Sequence, residues 1–199
     1  METPLSIKTF WFGDLADDAL TAASQAKLWW SKNPDIDQLM TQRFAMVTEQ
    51  AADGALDAWK ATPDACLSLI LVCDQFPRNM YRATPRSFAY DALARHVCRD
   101  GLAQGFDQQL RLIERIFFYL PLEHSESITD QDQSVSLFSA LLAAATAQQK
   151  ALFEGYVTYA LRHRDVISRF GRFPHRNQIL GRISTLEELQ FLSEPGSSF

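Results

Sequence analysis

Glycine and proline are scarce in this chain, with eight of each among 199 residues. Turn signals are correspondingly few, which argues against a many-stranded all-β fold. β-Branched residues are thin as well: 6 Val and 9 Ile stand against 24 Ala and 24 Leu. Ala and Leu lose little freedom in a helix, whereas a branched Cβ loses χ1 freedom there. The bias is helical. Only three cysteines occur (Cys66, Cys73 and Cys98), with no C-x-x-C pair. Neither a disulfide framework nor a structural zinc site is expected, and a reducing cytoplasm is the expected setting. Cys66 and Cys73 sit in an apolar run and read as packing residues. Long hydrophobic runs are missing too. Leu67–Cys73 and Leu137–Ala147 are too short to span a bilayer, and the first residues lack the apolar core of a signal peptide. No membrane partner is expected. Nor is there an excess of positive charge, since the net charge is −5, which speaks against bulk nucleic-acid affinity. The average hides an asymmetry. Residues 162–182 carry six arginines against the single Asp165, a local +5 that leaves −10 on the remainder.

What is present is a run of helix signals. The chain is 47% hydrophobic and 12% aromatic, enough for a core, and its length suits one all-helical domain over residues 1–199. Asn33-Pro34-Asp35 opens a helix with Ile36, Leu39, Met40, Phe44 and Val47 on one stripe. Thr62-Pro63 opens another, with Thr62 as N-cap, and its segment Cys66–Phe76 is apolar nearly all round, as a central helix would be. Thr84-Pro85 repeats the signal, with Phe88, Leu93, His96 and Val97 on a buried face, so His96 reads as a core histidine. A helix holding Leu110, Ile113 and Phe117 is expected to stop at Pro121, and one carrying Val135, Phe138 and Leu141 follows. The longest runs from about Lys150 to Phe170. A last short one starts at Ser184 or Thr185, with Glu187 and Glu188 placed for a capping box. The expected fold class is all-α, with antiparallel helix pairs stacked as in a helical repeat.

Projection at 100° per residue places Arg164 within the apolar arc of the longest helix, with His163 at its edge. An unpaired buried guanidinium is very costly, so an inward Arg164 needs an acid or an anion. The same projection puts Asp74 on an apolar face of the central helix. Two readings are open: Asp74 is a structural partner for Arg164, Arg78 or another inward arginine, or the group lines a cavity for a charged ligand. A third polar cluster, Tyr119 with Glu123-His124-Ser125-Glu126, is either a solvated loop or a set of acid–base groups. Its spacing matches no metal signature, and neither a metal nor a cofactor is expected. His163-Arg164-Asp165 is reminiscent of a kinase catalytic loop, but the Asn due five residues after the Asp is Phe170, and a Gly-rich loop is missing. Phe76-Pro77-Arg78-Asn79 and Phe173-Pro174-His175-Arg176-Asn177 echo each other, each with a Pro expected just beyond a helix.

Phe10-Trp11-Phe12-Gly13, Asp74-Gln75-Phe76-Pro77-Arg78-Asn79, Tyr119–Glu126, Phe170–Asn177 and the ending Glu194–Phe199 occur in this order. Together they resemble the mostly bacterial family catalogued as domain of unknown function 924, along essentially the whole chain. The resemblance implies an all-helical, tetratricopeptide-like fold and no particular reaction. Its strings coincide with the polar clusters, so the loops are expected to converge at one end of the stack. Asp74, Arg78, Asn79, Arg164, Arg172, His175, Arg176 and Asn177 are the expected ligand-binding residues, and His124, Glu126 and His163 the expected catalytic ones. Arginine forks match phosphate and carboxylate bidentately, so the expected partner is a small anionic or phosphate-bearing molecule, bound and in one reading transformed. The alternative is a tetratricopeptide-like scaffold whose groove takes a protein or peptide partner. Nucleic acid ranks last.

Overall fold

The structure, a computed structural model, describes residues 2–197; Ser198 and Phe199 of the closing motif lie outside the described residues. Among the described residues there are nine α-helices and no strand: α1 (Pro4–Phe12), α2 (Asp18–Trp30), α3 (Pro34–Ala52), α4 (Pro63–Met80), α5 (Asp91–Ala103), α6 (Leu112–Glu123), α7 (Ile128–Ala144), α8 (Lys150–Phe170) and α9 (Leu186–Leu192). The fold is all-α. Consecutive helices α3 to α5 and α6 to α8 pack as neighbours, and α4 also touches α1 and α6, so the array closes around one helix.

Sequence chemistry accounts for most of the boundaries. Asn33 caps α3 by accepting from the Asp35 and Ile36 N–H groups, and Thr185 forms the capping box of α9 with Glu188. Thr62 stands at the N-cap of α4 with its side chain uninvolved. Gly171 ends α8 in the left-handed region at φ 67°, donating its N–H to the Ile167 carbonyl at 2.8 Å, a conformation that suits glycine because it has no Cβ. Every residue from Ala65 to Pro77 is buried, so α4 is the central helix.

Three expectations fail here. Pro77 and Pro121 stop nothing: both lie inside their helices, near the C-terminal ends of α4 and α6. A proline removes a single hydrogen bond to the carbonyl four residues back, and close packing on both helices outweighs that loss. Pro85 begins a short 3₁₀ turn, Pro85–Phe88, and α5 starts only at Asp91. The buried stripe of α5 runs through Ala94, Val97, Cys98 and Gly101, which leaves His96 outward, 64% exposed and beside Asp100 at 3.3 Å, instead of in the core.

Two apolar clusters result. The large one joins α1 to α8 around Trp11, Phe44, Phe76, Phe117 and Phe153. The small one, Val166, Ile167 and Phe173 with Phe170 and Phe191, sits under α9.

Candidate functional site

Asp74 is completely buried on α4. Its carboxylate accepts from Gln75 Nε2 at 2.6 Å, lies 2.8 Å from His124 Nδ1, and has the Arg78 guanidinium at 3.5 Å. Burial alone would raise this carboxyl, but the Arg78 charge and His124 outweigh it and hold Asp74 far below the usual range. Facing an ionised Asp74, His124 Nδ1 carries the hydrogen, which leaves the Nε2 lone pair available. Burial, helped by the Arg78 charge, lowers the His124 pKa, against the pull of Asp74. The imidazole is therefore neutral at pH 7. Pro121 matters to this placement. Because it does not end α6, the helix runs to Glu123, and His124 caps it with its N–H on the Leu120 carbonyl at 2.8 Å.

Arg78 reaches further. Its Nη1 donates to Asp91 Oδ1 at 2.9 Å and its Nη2 to Asp91 Oδ2 at 3.2 Å. Arg176 meets the same carboxylate from the opposite end of the chain, with Nη1 3.1 Å from Asp91 Oδ2 and Nη2 donating to the His124 carbonyl at 3.0 Å. The Arg176 guanidinium also lies 4.6 Å from the Phe88 ring centroid and 4.7 Å from that of Phe173. Its Nε is buried without a hydrogen-bond partner. Burial, reinforced by the Arg78 charge, lowers the Arg176 pKa to about 10. Two arginines and two aspartates thus balance around one histidine.

Beneath them is a second buried pair. His163 Nδ1 lies 2.9 Å from the Tyr159 carbonyl and 3.2 Å from Glu123 Oε1, and its ring centroid is 6.3 Å from that of His124. Burial, then the Asp74 charge, raises the Glu123 carboxyl to about 8, and burial lowers His163 to about 3. Both are neutral at pH 7. At the edge, Glu126 accepts the Phe173 N–H at 2.8 Å and both Arg182 amino groups, at 2.8 and 2.9 Å, which holds the Arg-Phe-Pro-His string against the turn between α6 and α7. His175 lines an open cleft of about 620 Å³ together with Pro174, Gln178, Arg182, Ser184 and two leucines. Burial, followed by the Arg176 charge, lowers His175 to about 4.

Asp74, Arg78, His124 and Arg176 therefore come together, with His163 below them and Glu126 and His175 at the rim. Four other expected residues do not join. Asn79 faces α3 and donates to Asp37 at 3.2 Å. Arg172 binds Glu188 at 2.6 and 2.8 Å, and Asn177 donates to Ser184 and Glu188. Arg164 is corrected outright: its side chain is 38% exposed and pairs with Asp132 at 2.6 Å, not with Asp74. α7 packs along α8, and a long arginine stem escapes from an apolar arc toward the α7 acid. Asp91 and Glu123 complete the cluster: Glu123 belongs to the Tyr119–Glu126 string but is not among the expected ligand-binding or catalytic residues, and Asp91 lies in none of the polar strings. No group of three or more metal-binding side chains exists among the described residues.

The chain matches the family described as "Bacterial protein of unknown function (DUF924)" over residues 7–196. It belongs to that family. The DUF924 chain is also similar to a solved structure of a protein of unknown function from Agrobacterium tumefaciens, ATU0120, at 36% identity and a TM-score of 0.75, covering 89% of this chain and 99% of that one. No curated protein matches it. No helix among the described residues is long and apolar enough to cross a membrane.

Proposed function

We propose that this DUF924 chain binds a small anionic or phosphate-bearing molecule at the Arg78–Arg176 pair and moves a proton to or from it through His124. The observation that carries the reading is the convergence of both guanidinium groups on one carboxylate, Asp91, next to an Asp74-held imidazole. Asp91 stands where a ligand anion would sit, and its side chain is 22% exposed, so it can be displaced. A dianion interacts with two guanidiniums more strongly than a monoanionic carboxylate does, which favours phosphate. With its pKa lowered, His124 is in the form that accepts a proton at Nε2, and Asp74 would then stabilise the imidazolium. The arginines would oppose negative charge developing on the ligand. Three buried free cysteines suit a cytoplasmic setting.

Calorimetric titration with inorganic phosphate tests the reading. The wild type should bind in the millimolar range, Arg176→Ala should lose most of that binding, and Asp91→Asn should bind several-fold more tightly. His124→Asn should leave phosphate binding intact. If neither the wild type nor Asp91→Asn responds to phosphate, the proposal fails. A second reading, the tetratricopeptide-like scaffold, draws on the apolar side chains left exposed around α9: Leu180, Ile183, Leu186 and Leu189.

A further inference from the structure

His124 does not stand in open water. Its side chain is 15% exposed, Asp74 is fully buried, and Arg176 is 7% exposed. The cleft of about 620 Å³ lies to one side, walled by Pro174, His175 and Arg182 but not by Arg78, His124 or Arg176. A molecule that reaches both guanidiniums and the His124 ring therefore needs part of the protein to move. Asp74, Arg78, Asp91 and His124 belong to α4, to the start of α5 and to the end of α6, helices built into the large apolar cluster. Arg176 comes from elsewhere, on the strap of residues 172–182 between α8 and α9.

We infer that this strap is a gate, which lifts from the body to admit a ligand and closes on it through Arg176. What enters rests on the anion reading; whether the strap opens does not. Three features make this segment the moving part. Gly171 precedes it and Gly181 lies near its end, both at φ 67° with open space where a Cβ would stand, so the backbone can turn at either end. Its apolar anchor, Phe173, packs with Val166 and Ile167 in the small cluster, so lifting it leaves the large core whole. Its ties to the site are polar: Arg176 to Asp91 and to the His124 carbonyl, and the Phe173 N–H and Arg182 to Glu126. Asp91 and Glu126 are 22% and 30% exposed, so water can take over both carboxylates when the strap leaves. Arg172 and Asn177 bind Glu188 of α9 and do not hold the strap to the site. Segments tied in this way open at a fraction of the cost of global unfolding.

Diethyl pyrocarbonate acylates accessible neutral imidazoles, and mass spectrometry assigns the modified histidines in the full chain. His96, 64% exposed, sets the rate for an open imidazole, and labelling of the buried Cys73 by a thiol reagent reports opening of α4. In the wild type His124 should react at least about tenfold more slowly than His96. Glu126→Gln and Arg182→Gln each loosen the strap and should speed the His124 reaction several-fold, with His96 and Cys73 unchanged. Wild-type His124 reacting as fast as His96 overturns the inference, because nothing then covers the ring. A His124 rate untouched by both variants overturns it too. So does one that rises only together with Cys73 labelling, since the body is then unfolding. Inorganic phosphate provides a separate arm and should slow His124 modification in the wild type by closing the strap. A strap that opens but ignores phosphate keeps the gate and removes the anion reading.

Discussion

Glu123 keeps its proton at neutral pH because its carboxyl lies buried beside an uncharged imidazole. Its folded-state value of about 8 stands above the ordinary glutamate value of 4.5. The folded protein therefore holds a proton that the unfolded chain has released, and stability falls as pH rises from about 4.5 toward 8. His163 acts in the opposite direction: folded at about 3 against 6.5 unfolded, it costs stability as pH falls below 6.5. Between pH 6.5 and 8 the carboxyl dominates this pair. Chemical denaturation should show the wild type losing about 1–2 kcal/mol across that window, at up to 1.4 kcal/mol per pH unit for one proton. Glu123→Gln should make the profile nearly flat. Arg164 makes the contrast. Its partner Asp132 is 54% exposed, so Arg164→Ala should cost no more than about 1 kcal/mol in a thermal melt. A loss of several kcal/mol would mean that Arg164 faces inward after all.

Among the helices, Gly101 fixes how closely α4, α5 and α6 approach. A Cβ there would stand 2.6 Å from Phe118 Cζ and 2.9 Å from Cys66 Sγ. Both neighbours are buried, and an aromatic ring cannot step aside in a packed core. Gly101→Ala improves helix propensity yet should destabilise by about 1–3 kcal/mol, read as a lower melting temperature; a rise would show that the helices can part. Periodicity and caps made α3, α4, α8 and α9 legible from sequence, because Asn33, Thr62 and Thr185 each precede a proline or a helical apolar stripe. α1 and α2 were not, since their aromatic runs show no distinct period. Pro77 and Pro121 misled for a different reason. A proline near the end of a buried helix obeys tertiary packing over local propensity, and sequence contains no direct measure of packing.

At the scale of the whole molecule, the polar strings marked the residues of the buried polar cluster but not its charge balance. Asp74, Arg78, His124 and Arg176 stand out because each lies in a distinctive string. Asp91 does not, yet it joins Arg78 to Arg176. The projected inward turn of Arg164 failed because a helical wheel cannot know which helix lies alongside; Asp132 on α7 captures it. The +5 of residues 162–182 likewise ceases to be a surface field once Glu187, Glu188 and Glu126 are seen to lie against it.

Sequence separation gives the shared carboxylate a temporal meaning. Asp91 is 13 residues from Arg78 but 85 from Arg176. During synthesis the first bridge can close as soon as α4 and the start of α5 emerge, while the second waits for the whole of α8 and the Pro174–Arg176 turn after it. Until then the His124 carbonyl lacks its Arg176 donor, and Phe88 and Phe173 are not yet held together by the guanidinium between them. Long-range contacts of this kind are the slow ones in folding. The same residues that would meet a ligand therefore also register, late and all at once, that the two distant parts of the polypeptide have docked.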